Sequence, residues 1–433
     1  MYISEMPLSQ TIKQINDGNL DPEDLVNQIC DRIDAFDRII QSFLPEPGRR
    51  QRMLHDAALL KLKYKGKTKK PALYGIPIGV KDLFNVDGFP TRAGSYLPYE
   101  CFSGAEAEVV TRLKKAGAII VGKTVTTEFA YFEPGPTRNP HNTDHTPGGS
   151  SSGSAAAVAC GFTPLALGTQ TIGSIGRPAS YCGVFGFKPS YGQIPVSGIF
   201  PFSSSADQVG FFTQDFEGIA LTAPILCQKS KKTSITDELP VVGIATGTYL
   251  DQADSEMINL VAEIKTRLLN FGCKVIEADL FGPVEVINEL HRAMVACDFY
   301  QVHRDLYDHY ASLYRPQSKA LVEKGKTIDG VTYSKARMHC HELSRKIKEF
   351  SKKPGIDIWI SPSATGAAPK GIHATGSPVM NLPWTHAGVP VLTVPVSKNH
   401  QSLPLGLQLA GKYNADCELL QQCRKIMPVL FTS

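Results

Sequence analysis

The sequence predicts an α/β fold, and two stretches of alternating elements carry that reading. Pro240 to Ala245 reads as a strand, Ser255 to Leu269 as a helix and Lys274 to Ala278 as a strand again, the alternation that a sheet layered with helices requires. Earlier in the chain a helical pattern from Val109 to Ala116 runs into a strand from Ala118 to Gly122. A chain of 433 residues suggests about three domains by length alone. No linker and no internal repeat divides it, however, so a single domain is expected.

The elements follow in order. Asp21-Pro22-Glu23-Asp24 combines an N-cap, a proline at the first helical position and acids in the first turn. It leads an apolar face of Leu25, Ile29, Ile33 and Phe36. Six lysines between Lys61 and Lys70, with only Tyr64 among them, read as a solvated face or loop. Gly75-Ile76-Pro77-Ile78-Gly79-Val80 is a short apolar run bounded by turn residues and reads as a buried strand. The segment from Ser154 to Gly161, almost entirely small and apolar, reads as a buried helix. From Glu285 to Lys352 the chain is mostly helical and polar, richest in charge between Lys335 and Lys353, and Asp357 to Ser361 returns to strand.

Composition narrows the function classes. A hydrophobic content of 42% supplies a large core, and a mean hydropathy of −0.11 with no long uncharged apolar run excludes a membrane span. The opening MYISEMPLSQ lacks a basic region and an apolar stretch of signal-peptide type, so a cytoplasmic location is expected. Ten cysteines are scattered without a CxxC pair or a Cys/His cluster, which fits reduced thiols better than disulfides or zinc. A net charge of +4 is too balanced for a nucleic-acid binder.

Three strips carry the chemistry: LYGIPIGVKDLFNVDGFPT from Leu73, GGSSSGSAAAVACG from Gly148 and LALGTQTIGSIGRPA from Leu165. They supply Lys81, Ser150 and Ser174, a base, a proton relay and a nucleophile suited to amide hydrolysis. None contains a His or metal-ligand spacing, so no metal and no cofactor is implied. GGSSSG could be a flexible linker, but it opens directly into the buried helix, whose first N–H groups are natural oxyanion donors. Lys81 could be a surface charge. It follows a buried strand, though, and burial lowers a lysine's pKa and turns the amine into a usable base. Asp82 and Asp87 would oppose that shift if either pointed inward.

With these residues in hand, the chain is identified as resembling the amidase signature family of Ser–Ser–Lys hydrolases. Gly148 to Ala179 resembles the family strip nearly residue for residue, Gly79-Val80-Lys81-Asp82 resembles its lysine strip, and the likeness extends to Gly388-Val389-Pro390 and Leu403 to Leu409. Ser150 and Ser174 lie 24 positions apart, as in the family. The resemblance implies a single large domain with a mixed twisted sheet covered by helices on both faces: an N-terminal helical lead-in 1–70, a catalytic core 71–215, a variable substrate-side region 216–355, and C-terminal strands and helix 356–433. It implies Ser174 as nucleophile and Ser150, in a cis peptide with Gly149, as relay to neutral Lys81. It further implies Ser151 as a support for Lys81, and the N–H groups of Thr171, Ile172, Gly173 and Ser174 as oxyanion donors.

Departures from the family strip are informative. Gln170 replaces an Asp and Gly176 an Arg, so both members of a buried ion pair are missing together, a change that can be nearly neutral where losing one is costly. Gln170 with Arg177-Pro178-Ala179 resembles a malonamidase-like branch, in which an Arg at this place grips a substrate carboxylate, so Gln170 and Arg177 are candidate substrate contacts. Arg177 could equally hold loop carbonyls. Ile172 replaces a Gly, so the loop must keep ordinary backbone angles there. Tyr131 and Phe132, after Glu128-Phe129-Ala130, could line the substrate pocket or belong to the core; His291, Asp298, Tyr300 and His303 could reach the site or face solvent.

The expected function is hydrolysis of a small carboxamide or urea-like amide to carboxylate plus ammonia or amine, with a small-molecule amide as partner and a homodimer left open. The alternative is an amidase-fold subunit of an amidotransferase complex, or an acyl transferase using the same triad. Gln170 and Gly176 argue against the amidotransferase branch.

Overall fold

The computed structural model describes residues 2–227 and 238–431. One mixed sheet of ten strands runs through them: β1 (Pro77–Lys81), β2 (Ile119–Thr124), β3 (Leu165–Gln170), β4 (Phe185–Lys188), β5 (Gln208–Thr213), β6 (Val242–Ala245), β7 (Val275–Ala278), β8 (Ile358–Pro362), β9 (Val391–Lys398) and β10 (Pro404–Ala410). Their spatial order is β2-β1-β3-β5-β4-β9-β10-β8-β6-β7. Parallel pairs form both ends of the sheet, and antiparallel pairs join them through the centre. Strands β1, β2, β3, β5 and β10 are buried at every residue, as they must be where helices cover both faces.

Local sequence explains the helices. Asp21 accepts the Glu23 N–H at 2.9 Å, with Pro22 at the first helical position of Pro22–Ile40. The long polar region becomes three helices, Val284–Tyr310, Pro316–Lys326 and Gly330–Lys352. Pro316 begins the second at a position where its missing N–H costs nothing, and Asp329 caps the third by accepting the Thr332 N–H. The small-residue helix is Ser152–Ala159, starting two residues before the expected Ser154 because Ser151 already leaves its extended course.

Two features of this arrangement position the site. Lys81 and Gln170 are the last residues of β1 and β3, adjacent parallel strands in which Val80 faces Leu167. The chain therefore delivers Lys81 and the loop after Gln170 to the same carboxyl edge, where open α/β sheets bind ligands. The helix Ser152–Ala159 is drawn tight against that edge: a Cβ at Gly153 would stand 2.2 Å from the Ser42 carbonyl oxygen and 2.4 Å from the Val125 nitrogen. Both are backbone atoms that cannot swing aside. Gly153→Ala is therefore expected to destabilise the protein by about 1–3 kcal/mol, the usual cost of overpacking, read as a lower urea midpoint with an unchanged slope. An unaltered midpoint would show that this contact is slack.

Candidate active site

Lys81 is fully buried. Its Nζ lies 2.8 Å from Ser150 Oγ and 2.7 Å from Thr169 Oγ1. Burial holds the amine well below the ordinary lysine range, and the negative charge of Asp207 opposes this. The neighbouring acids do not cancel the effect. Asp82, in the turn after β1, pairs with Lys123 at 2.8 Å, and Asp87 is exposed.

The support expected of Ser151 falls instead to Thr169. Ser151 Oγ donates to the Thr169 carbonyl at 3.2 Å and accepts the Thr169 N–H at 3.3 Å, so it reaches Lys81 only through the strand that carries Thr169. Thr169 lies just beyond the β3 residues paired with β1, and its hydroxyl meets the Lys81 amine there. The other strip serines are used structurally, Ser152 Oγ donating to the Val125 carbonyl and Ser154 Oγ to that of Leu167. The Gly149–Ser150 peptide is cis, and the Ser150 carbonyl accepts the Thr127 N–H. Ser174 sits between β3 and the helix Gly176–Cys182, 6% exposed.

Between Gln170 and Ile175 the backbone is turned one way. The carbonyls of Thr171, Ile172 and Gly173 accept hydrogen bonds from His291 Nε2, Thr385 Oγ1 and the Arg177 N–H, at 3.0, 2.7 and 3.1 Å. The N–H groups of Thr171, Ile172, Gly173 and Ser174 have no acceptor among the described residues. Backbone donors without a protein partner in buried residues are rare, and four in succession could receive an oxyanion. Ile172 keeps a negative φ, absent from the positive-φ residues.

Gln170 reads in the sequence as a candidate substrate contact, and the structure assigns it elsewhere. Its Oε1 accepts the N–H groups of Ile175 and Gly176 at 2.7 and 2.9 Å, and its Nε2 donates to Thr385 Oγ1 at 2.8 Å. Both ends of the amide are consumed in fixing the turn into the next helix. Gly176 is equally constrained, since a Cβ there would meet Asn381 Nδ2 at 2.5 Å. Arg177, 1% exposed, donates through Nη2 to the Gly149 carbonyl at 2.7 Å and Thr375 Oγ1 at 3.1 Å. Its Nε and Nη1 are buried without partners. Burial pushes the guanidinium down to about 10.

Tyr131, Phe132, Ile172 and Thr375 line a cleft of about 1020 Å³. A second cavity, about 320 Å³, is lined by Thr169, Thr171 and Asp207 with apolar walls of Leu83, Phe200 and Phe202. Burial raises the Asp207 carboxyl to about 6, against hydrogen bonds from Thr171 and the Phe202 and Ser203 N–H groups. Of the four candidates on the long helix, only His291 touches the loop. Asp298 accepts from Ser203, Ser205 and Tyr333, buried His303 bonds Tyr314, and Tyr300 is half-buried.

Residues 24–420 match the Amidase family. The chain belongs to that family. It is therefore an enzyme of the class that acts on amide C–N bonds. Among curated proteins it is similar to a glutamyl-tRNA(Gln) amidotransferase subunit from Acinetobacter baumannii strain AB0057, 30% identical over 96% of this chain and 94% of that one. The same subunit from Prochlorococcus marinus is 29% identical over 96% of both chains. Among solved structures, one described as an amidase superposes with a TM-score of 0.86 at 28% identity, covering 96% and 98% of the two chains. A chain of a vestigial complex linked to the origins of an s-triazine catabolic enzyme gives 0.85 at 27%, covering 98% and 99%. The peptide amidase of Stenotrophomonas maltophilia shares the fold, at 0.81 and 24% over 97% and 96%. Whole-chain similarity to amidotransferase subunits runs against the expectation drawn from Gln170 and Gly176. In this chain those two positions pack one turn around Thr385 and Asn381.

Thr169, Thr385 and Asn381 carry no signal of their own in the sequence. Thr169 lies inside the strip, and only the strand register marks it; the other two are more than 200 positions away.

Because burial depresses the Lys81 pKa, the amine is neutral down to lower pH than an exposed lysine, and protonation on acidification removes the base. kcat/KM should therefore fall on the acid side with a slope near one per pH unit. Lys81→Ala should lose activity by several orders of magnitude, lose that limb and regain some rate at high pH. A wild-type profile flat to about pH 5 would exclude a lysine base.

Proposed function

We propose that this amidase-family chain cleaves a carboxamide C–N bond through an acyl-enzyme on Ser174. Neutral Lys81 takes a proton from Ser150, Ser150 takes one from Ser174, and Ser174 Oγ attacks the carbonyl carbon. The oxyanion that forms is met by the unpartnered N–H groups of residues 171–174. On collapse the C–N bond breaks, the nitrogen receives the relayed proton, and water then hydrolyses the ester. The observation that carries this reading is the pairing of a buried lysine amine, 2.8 Å from a serine hydroxyl, with a loop whose four N–H groups have no acceptor.

The substrate is proposed to carry a carboxylate or a vicinal carbonyl near the scissile amide. Arg177 supports this: its Nε and Nη1 are buried and unpartnered, and a guanidinium cannot relieve burial by losing its proton. The cleft beside Tyr131 and Phe132 is the proposed place for such an amide. A second reading, as one component of an amidotransferase complex, is favoured by the curated relatives, whose length this chain spans almost completely. It uses the same chemistry and differs in what receives the ammonia.

Two measurements test the proposal. Ser174→Ala should abolish acyl-enzyme formation while the protein stays folded, and a fluorophosphonate adduct should map to Ser174 alone; an adduct elsewhere would overturn the nucleophile. In a panel of amides, the isolated chain should release ammonia or amine, and Arg177→Gln should raise KM for acidic substrates by about tenfold or more, the scale of one charge-assisted hydrogen bond, while sparing neutral ones. Equal losses for all amides with a lower Tm would reduce Arg177 to a tether of the Gly149 carbonyl. Ammonia release only after addition of a partner would favour the amidotransferase reading.

A further inference from the structure

His291 stands outside all three strips, on the helix Val284–Tyr310, yet its Nε2 is 3.0 Å from the Thr171 carbonyl oxygen. That carbonyl and the Ile172 N–H belong to one peptide unit, and a hydrogen bond accepted at the oxygen polarises the unit and strengthens its N–H as a donor. A backbone carbonyl only accepts, so His291 Nε2 must carry the hydrogen. Burial keeps the ring neutral, its pKa pushed down to about 4, and Nδ1 is then an acceptor.

The next ring supplies what that acceptor needs. His386 Nδ1 is 3.1 Å from His291 Nδ1 and so must be the protonated nitrogen, which leaves His386 Nε2 to accept from His339 Nδ1, also at 3.1 Å. Cys340 Sγ packs against the same ring, 3.4 Å from Nδ1. One tautomer is thereby fixed at each histidine, from half-exposed His339 inward to the oxyanion loop. With both His386 nitrogens facing other imidazoles, the group is not arranged as a metal site, and no cluster among the described residues is.

We infer that His291 is a positioning residue of the oxyanion hole, locked in its Nε2–H tautomer by His386 and His339 so that it holds and polarises the Thr171–Ile172 peptide. The inference rests on the Ser174 acyl-enzyme reading. It predicts that His291→Phe, which keeps bulk but removes the donor, lowers the single-turnover acylation rate by about tenfold to a hundredfold, somewhat less than deleting an oxyanion donor outright, with KM changed by less than about twofold. His291→Gln, whose amide can donate to the same oxygen, should recover most of the rate. Acylation of His291→Phe at the wild-type rate, or a loss shared equally by the Gln and Phe variants, would overturn it. Nitrogen-15 spectra of the wild-type protein give a check independent of any variant's folding: His291 should show the neutral Nε2–H form, and an Nδ1–H form or an imidazolium near neutral pH would sink the idea. Fluorophosphonate labelling separates the two failures. No adduct on wild-type Ser174 removes the acyl-enzyme reading itself, whereas a normal adduct with an unaffected His291→Phe removes only the role of His291.

Discussion

Enclosing the Lys81 amine among hydroxyls, with no ion pair, is the constraint on which the rest of the site depends. An isolated buried ammonium is expensive, so burial favours the neutral amine beside Ser150. The same sheet shows the contrast. Lys123 is also buried, on β2 beside Val80, but it faces Asp82 at 2.8 Å and is paired. The chain turns directly after Lys81, and the carboxylate next to it in sequence goes to Lys123. Two buried lysines on neighbouring strands thus differ in that one is paired with a carboxylate and the other meets only hydroxyls.

Much of this was legible in the chain. The apolar run before Lys81, the small-residue helix after the glycine-serine strip and the Asp21 cap are local patterns, and they became β1, Ser152–Ala159 and the N-capped helix Pro22–Ile40. What was not legible depends on register or on distance along the chain. Thr169 replaces Ser151 beside Lys81 because of how β3 lies against β1, which no local pattern encodes. Gln170 reads as a candidate substrate contact until Thr385, 215 positions away, is seen to take its other end. His291 could be named as a residue on a helix near the site, but only the fold shows that it meets Thr171 and not solvent.

The departures from the family strip form one packing unit. Gln170 caps Ile175 and Gly176, Thr385 links Gln170 to the Ile172 carbonyl, and Asn381 fills the space against Gly173 and Gly176. Neutral hydrogen bonds stand where the resemblance implies a charged pair. Such an exchange keeps every buried polar end of Gln170 satisfied and avoids the desolvation of two ions, which is why both members can change together at little cost.

Lys81 and Arg177 show two outcomes of the same burial. Each is a basic side chain with almost no exposure on one catalytic edge. The lysine can shed its proton, and its chemistry follows from doing so. The guanidinium keeps its charge, and with only Nη2 engaged, by Gly149 and Thr375, it retains unspent donors and an uncompensated charge. Those unspent donors are the observation behind the proposed anionic group on the substrate. The Gly149 carbonyl bonded to Arg177 immediately precedes Ser150. On the proposed reading, an anionic group of the substrate that reached Nε and Nη1 would complete this guanidinium on the side of Gly149, next to Ser150.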